Sequence, residues 1–197
     1  MTEVDEVPLF PLGTVLYPAG PLPLRLFEAR YIDMVSRCMR DSKPFGVVAI
    51  REGRETGPSI IHETGTLARI VDFYQGSDGL LGITAVGDQR FKLLDETTAD
   101  DGLRVGRLQL LDAEPEITLP ERFEPLADML DNVLDDFGKL YENVPRLLND
   151  ASWVGYRFCE ILPLPLMQKQ RCLEIEDPVG RLDIIATLLS KTPDQPQ

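Results

Sequence analysis

The sequence predicts an α+β protein, strands first and helices after. Up to Leu111, short apolar runs alternate with Gly, Pro and acidic turns, the pattern of strands. From Leu119 onward, apolar residues recur at three- and four-residue spacing, the period of helices with one buried face. Between the two regimes stands Glu114-Pro115-Glu116, which reads as a short linker. The expected division is therefore residues 1–116 and residues 117–197.

The first part is organised around Val7 to Tyr31. Pro8, Pro11, Pro18, Pro21 and Pro23 fix φ and remove backbone donors, so no helix can run through it. Leu9-Phe10 and Leu22 to Phe27 are predicted strands, confined by the prolines to edges, strand starts or bulges. Pro18-Ala19-Gly20-Pro21 is the turn between them. At Glu28 the period changes: Tyr31, Ile32, Met34, Val35, Cys38 and Met39 predict a helix with one buried face, stopped by Asp41-Ser42-Lys43-Pro44. Phe45 to Ile50 is a continuous apolar strand. Ile60 starts a short strand and Gly65 to Tyr74 is a longer one. Gln75-Gly76-Ser77-Asp78-Gly79 is a hairpin signal. Leu80 to Val86 returns, Gly87-Asp88-Gln89 bends, and Arg90 to Leu94 continues. Asp95 to Gly102 reads as an acidic loop and Leu103 to Leu111 as the last strand. Strands at these intervals suggest a small barrel or sandwich.

In the second part, Leu126, Met129, Leu130, Val133, Leu134, Phe137, Leu140 and Tyr141 lie on one helical face. Asp150 can cap a helix running through Trp153, Phe158 and Ile161 to a stop at Pro163. Pro165 to Ile175 is a short third helix. Asp177-Pro178, a cap followed by proline in the first turn, starts a fourth, with Val179, Leu182, Ile185, Leu188 and Leu189 inward. Thr192 to Gln197 is expected to fray.

The 197 residues are long enough for a sizeable core, and 43% hydrophobic content is ordinary for a soluble chain. Formal charge is −13. Residues 1–119 carry 19 acids and 12 bases, residues 120–197 carry 14 acids and 8 bases, so no basic module hides in an acidic whole. Nucleic acid and anionic lipid are not expected partners, since binding there rests on Lys and Arg neutralising phosphates. No apolar run approaches a membrane span, and Thr2 to Glu6 lacks the basic-then-apolar start of a signal peptide. The expected location is the cytoplasm. Cys38, Cys159 and Cys172 form no C-x-x-C pair and read as buried, reduced thiols.

Several separated segments carry a family resemblance. Pro-Leu-Phe-Pro-Leu at 8–12, Leu-Tyr-Pro at 16–18 and Pro-Leu-Arg-Leu-Phe-Glu-Ala-Arg-Tyr at 23–31 resemble the amino-terminal domain of the Lon protease. The likeness continues at Gly65 to Ile70, Asp78-Gly79-Leu80, Gly87, Arg90-Phe91, Leu162 to Gln170, Leu173-Glu174 and Arg181-Leu182, in the family's order and over most of the chain. The resemblance implies a PUA-like β-barrel with an early helix, followed by an all-helical bundle. It also implies a non-catalytic module that binds protein or peptide, such as an adaptor in protein quality control, with unfolded or apolar polypeptide segments as partners and no cofactor. A second reading is a small-molecule or regulatory domain with a ligand cleft.

No constellation for chemistry stands out. There is no G-x-x-x-x-G-K-[ST] to cradle nucleotide phosphates. Gly57-Pro58-Ser59 is superficially like the surroundings of the Lon nucleophile but lies in a polar loop of the barrel region. His62 is the single histidine and has no ligand partners at zinc spacing, so it reads as a strand or surface histidine. Asp128, Asp131, Asp135 and Asp136 lie opposite the apolar helical stripe and read as a solvated face. Asp95 to Gly102 lacks the alternating Asp/Asn positions of a calcium loop. Catalytic and metal residues are therefore expected to be none. The candidate polypeptide-binding residues are Tyr17, Leu22, Phe73 and Tyr74, in or beside turns, which either form an exposed apolar patch or plug the ends of the barrel. Glu28 favours the start of the first helix, where the dipole prefers negative charge, and Tyr31 packs on the strands.

Overall fold

The structure is a computed structural model that describes residues 2–76, 79–142 and 144–190. The chain divides into two compact units, Met1–Ala113 and Glu114–Gln197. The sequence places the division after Glu116; the structure places it three residues earlier, because the Glu114 side chain is committed to the second unit.

The first unit is a mixed sheet with one helix. Its strands are β1 (Glu3–Leu12), β2 (Pro21–Leu26), β3 (Phe45–Gly53), β4 (Ser59–Gln75), β5 (Leu81–Thr98) and β6 (Arg104–Leu110); α1 (Ala29–Asp41) follows β2. The order is β2-β5-β4-β3-β1-β6, and β5 also pairs with β6. The ladders β5-β4-β3-β1-β6 thus run in a closed circuit, with β2 carried on β5 outside it. β1 and β3 are parallel; the other pairs are antiparallel.

Both faces of the central part of this sheet are buried, while the outer ends of β4 and β5 are exposed. Successive residues of a strand point to opposite faces, and the neighbours Leu9 and Phe10, Val48 and Val47, Leu67 and Ala68 fall into two different apolar clusters. One cluster joins Val7, Leu9, Val48, Leu67, Phe91 and Leu108. The other joins Phe10, Leu24, Leu26, Val47 and Ile83 to Tyr31, Met34, Val35 and Cys38 of α1. Burial on both faces is why Phe45 to Ile50 reads as an unbroken apolar run.

Several strands are longer than their local composition suggests. β1 begins at Glu3 because β6 pairs with its acidic start, across a bulge at which Glu6 takes a φ of 57°. β4 is continuous from Ser59, and β5 passes through Gly87-Asp88-Gln89 at a register shift. The expected acidic loop is strand as far as Thr98: Asp95 stands opposite Arg107, and Glu96 pairs with Arg104 at 3.5 Å. Gly87 is a close approach. Its N–H donates to the Gly20 carbonyl at 2.9 Å, its carbonyl accepts from the Ala19 N–H at 2.8 Å, and a Cβ there would overlap the Tyr17 carbonyl oxygen.

The second unit contains α2 (Glu124–Asp136), α3 (Ala151–Ile161), α4 (Leu166–Glu174) and α5 (Pro178–Ser190). The apolar run to Tyr141 is broken at Gly138, whose φ of 52° opens a single 3-10 turn over Gly138–Leu140. Leu130, Leu134 and Tyr141 are buried, whereas Met129 and Phe137 are exposed. Asp150 caps α3, its Oδ1 accepting from the Trp153 N–H at 2.6 Å, and Asp177 accepts from the Val179 N–H at 3.0 Å at the start of α5. Residues 192–197 and the hairpin residues Ser77 and Asp78 lie outside the described residues.

Gly87→Ala is expected to lower stability by about 1–3 kcal/mol, the usual cost of forcing atoms into a packed contact. Urea unfolding followed by circular dichroism measures it; wild-type stability would show that the 13–20 loop can move off β5.

Candidate functional site

Of the four residues proposed to bind polypeptide, Tyr17 is fully buried and forms no part of a surface. The turn around it is tied down: Gly20 N–H donates to the Tyr17 carbonyl at 3.0 Å, the Thr66 hydroxyl donates to the Leu16 carbonyl at 2.6 Å, and Ala19 and Gly20 are bonded to Gly87. A stiff proline loop held to β4 and β5 turns its aromatic inward. Leu22 is half-buried against the α1-side cluster. Phe73 and Tyr74 are 61% and 42% exposed. They stand opposite Ile83 and Gly82, so their side chains leave opposite faces of the β4–β5 hairpin. The Tyr74 ring covers Gly82, where a Cβ would overlap it. The four residues are thus not gathered in one place. The outer end of the hairpin is nevertheless apolar and exposed, with Val71 at 55% and Leu80 beside Phe73 and Tyr74.

A cavity of about 210 Å³ lies between β1 and β2, lined by Phe10, Leu22, Leu24, Tyr31, Glu28 and Glu55 among others. Its floor is a stacked aromatic pair, Phe10 and Tyr31, with centroids 4.0 Å apart. Burial pushes the Tyr31 hydroxyl above its ordinary pKa, against the lowering effect of Arg30. Glu28 stands at the start of α1, but its side chain makes no capping bond. It binds Arg30 at 2.7 Å, and Arg30 donates in turn to the Gly102 carbonyl at 2.8 Å. Glu55 accepts from the Gly13 N–H at 2.7 Å. Phe27, 59% exposed, also lines the cavity.

In the second unit a groove of about 550 Å³ runs between α4 and α5, lined by Cys172, Ile175, Ile184, Leu188 and Arg171. Beneath it lies a polar centre the sequence reading missed. Arg181, wholly buried, pairs with Glu114 and donates to the carbonyls of Cys172 at 2.9 Å and Ile175 at 2.5 Å. Glu114 also accepts from the hydroxyls of Tyr156 and, at 2.7 Å, Ser152. The Arg181 guanidinium lies 3.9 Å from the Tyr156 ring centroid. Glu114-Pro115-Glu116 resembles a linker because nothing local shows that an arginine 67 positions on will claim its first residue.

The remaining candidates stay structural. The Ser59 hydroxyl accepts from Arg104 at 3.2 Å, with its carbonyl taken by the same arginine. His62 is half-buried on β4. Asp131 and Asp135 are both bound by Arg146, the latter at 2.6 Å. Among the described residues no cluster of His, Cys, Asp or Glu could hold a metal ion. The three cysteines are free and buried. No helix among the described residues is long and apolar enough to cross a membrane.

These features fit a known class of binding domain. Residues 6–191 match the family described as the ATP-dependent protease La (LON) substrate-binding domain. The chain belongs to that family, and its fold is that of the Lon N-terminal domain, mixed α/β with a sheet and five helices. A crystal structure of a Lon N-terminal domain protein from Xanthomonas campestris is 35% identical, covers 98% of this chain and all of its own, and superposes with a TM-score of 0.76. The N-terminal domain of a Mycobacterium avium complex Lon protease shares the fold at 17% identity and a TM-score of 0.65, over 96% of this chain and all of its own. The Lon protease of Cytophaga hutchinsonii is 24% identical over 94% of this chain, which corresponds to 24% of that protein. Protein cereblon of Danio rerio is 33% identical over 60% of this chain and 28% of its own length. The chain thus spans about a quarter of the curated Lon proteases it matches, and the match is to their substrate-binding part.

The Glu114–Arg181 centre predicts a pH dependence. Burial alone would raise the Glu114 carboxyl; the hydrogen bonds and charge of Arg181, with Tyr156 and Ser152, outweigh it and hold the pKa below its ordinary value. A depressed carboxylate contributes stability above its unfolded pKa, about 4.3, and loses it as pH falls through the lower folded value. Glu114→Gln leaves the Arg181 charge buried and uncompensated, and is expected to cost about 3–5 kcal/mol at pH 7. The difference from wild type should shrink below about pH 4. Denaturant unfolding followed by the fluorescence of Trp153, which is buried in the same unit, reads both. A difference independent of pH would show that the carboxylate charge is not what holds Arg181.

Proposed function

We propose that this chain is a non-catalytic module that recognises polypeptide, built as a PUA-like β-barrel with an early helix and followed by a helical bundle. The closed circuit of strand ladders supports the barrel reading. Membership of the Lon substrate-binding family supports recognition rather than hydrolysis, as does the lack of any phosphate-cradling Gly-Lys motif in the sequence. The observation that carries the reading is the outer end of the β4–β5 hairpin, where Val71, Phe73, Tyr74 and Leu80 are all exposed, with Phe73 on one face and Tyr74 on the other. An adaptor role in protein quality control fits such a surface. A second reading, a small regulatory ligand, has one observation in its favour: the α4–α5 groove falls within the roughly 300–1,000 Å³ of small-molecule sites.

A few exposed side chains give micromolar rather than nanomolar affinity, a difference of about 4 kcal/mol. Titration of a labelled, reduced and unfolded polypeptide into wild type and Phe73→Ser is the test. The serine variant should fold normally, since Phe73 is mostly exposed, and bind roughly fivefold more weakly. Equal binding would remove the hairpin as the site; no binding by wild type would remove the reading. Incubation with ATP and casein is expected to release no peptides, and turnover abolished by Ser59→Ala would make the chain an enzyme.

A further inference from the structure

The sheet is open between β1 and β2. β6 pairs with β1 only from Glu3 to Leu9, and β2 stands at the end of the strand order with β5 on one side. The 210 Å³ cavity lies between these two edges. Prolines decide what the edges offer. In an antiparallel ladder a residue turns its N–H and C=O toward the same neighbour, and a proline has no N–H to give. Leu22, Leu24 and Leu26 therefore serve β5, and the carbonyls of Pro21 and Pro23 turn to the open side. Pro11, on the facing stretch of β1, likewise brings an acceptor and no donor. Two carboxylates join these acceptors, Glu28 and Glu55. Glu28 holds Arg30 through Oε2 and Glu55 accepts from Gly13 through Oε1, so each keeps its second oxygen for another donor. Arg25 is the one cation among the lining residues. Arg30, just behind the lining, pairs with Glu28 and lies over the Tyr31 ring. The two arginines thus match the two carboxylates in number, and the attraction for a further cation rests on the second oxygens of Glu28 and Glu55.

The walls between these polar groups are Phe10, Leu22, Leu24 and Tyr31. The volume lies below the roughly 300 Å³ at which small-molecule sites begin, and suits a single long side chain. Apolar walls, acceptor-rich edges and two carboxylates are complementary to an alkyl stem with a cationic head.

We propose that the cavity between β1 and β2 receives a lysine or arginine side chain of an extended polypeptide, its stem against Phe10, Leu22, Leu24 and Tyr31 and its head between Glu28 and Glu55. This rests on the polypeptide-recognition reading and adds which residue is read. It also gives Leu22 a role as a wall of the cavity.

The test uses three unfolded peptides identical except at one central position, which carries lysine, norleucine or glutamate. Each is titrated by fluorescence anisotropy into wild type, Glu55→Gln and Glu28→Gln, and amide NMR shifts report the location. The lysine peptide is expected to bind wild type about fivefold more tightly than the norleucine peptide, and the glutamate peptide more weakly than either. Shifts should concentrate in Leu22 to Tyr31. Either glutamine variant should cut the lysine-to-norleucine affinity ratio to about twofold or less. Added salt should have the same effect. Equal binding of lysine and norleucine peptides by wild type, or an advantage that survives both variants, overturns the cavity assignment and leaves polypeptide recognition standing. Binding of none of the three overturns both.

Discussion

One edge of β5 serves two strands in turn, and the first unit depends on that division. Leu81 to Val86 hold β2; Phe91 to Thr98 hold β6. Between the two pairings the Ala19-Gly20 turn is bonded to Gly87, which separates them. Because β6 also pairs with β1, the circuit closes at one end and stays open between β1 and β2 at the other. Gly87 lets this happen: any side chain there would displace the Tyr17 carbonyl, and with it the loop that joins the two strands flanking the opening.

The sequence shows which segments are strands and helices better than it shows where they stop. Pro18 to Pro21 marks a break that the structure keeps, because proline acts locally, whereas the run from Leu126 to Tyr141 reads as one helical face and is broken at Gly138. Asp95 to Thr98 and Gly87 to Gln89 look like breaks and are strand. Their conformation is set by partners on neighbouring strands, Arg104 and Arg107 across the next hairpin in the first case and Thr66 to Ala68 in the second. Tyr17 fails as a surface residue for the same reason. A tyrosine beside a proline turn looks hard to bury until β5, some seventy residues on, supplies the bonds that hold the turn down. Phe73 and Tyr74 are legible as turn-proximal aromatics, but the period of a strand already places adjacent residues on opposite faces.

The second unit shows a different limit. Its helix caps, Asp150 and Asp177, are readable from the residue and its position. Its polar centre is not. Arg181 looks like one more polar residue on a helix face until its environment is seen: no exposed surface, a carboxylate from Glu114, carbonyls from Cys172 and Ile175, and the Tyr156 ring. These groups come from three separate stretches of chain: Glu114, Tyr156 in α3, and Cys172 with Ile175 at the end of α4. Burying such a pair gains little net stability over an apolar packing of the same shape, but losing one partner is expensive. Its consequence is therefore specificity of arrangement: Glu114, α3, the turn before α5 and α5 itself are tied to a single charge.

The prolines of the first unit bear on folding and on the recognition proposed above. An unpaired strand edge invites pairing with another chain, and natural sheets blunt such edges with proline and charge. Pro11, Pro21 and Pro23 remove the donors a full ladder would need, and Glu28, Glu55 and Arg25 add charge at the opening. A continuous β-strand from a partner therefore fits this opening poorly. For the polypeptide recognition proposed above, what remains is a short contact with backbone acceptors and one side-chain cavity, which suits transient capture better than permanent strand addition. Under that proposal, the same prolines and charges that blunt the open edge against strand pairing also limit what it would hold, and how tightly.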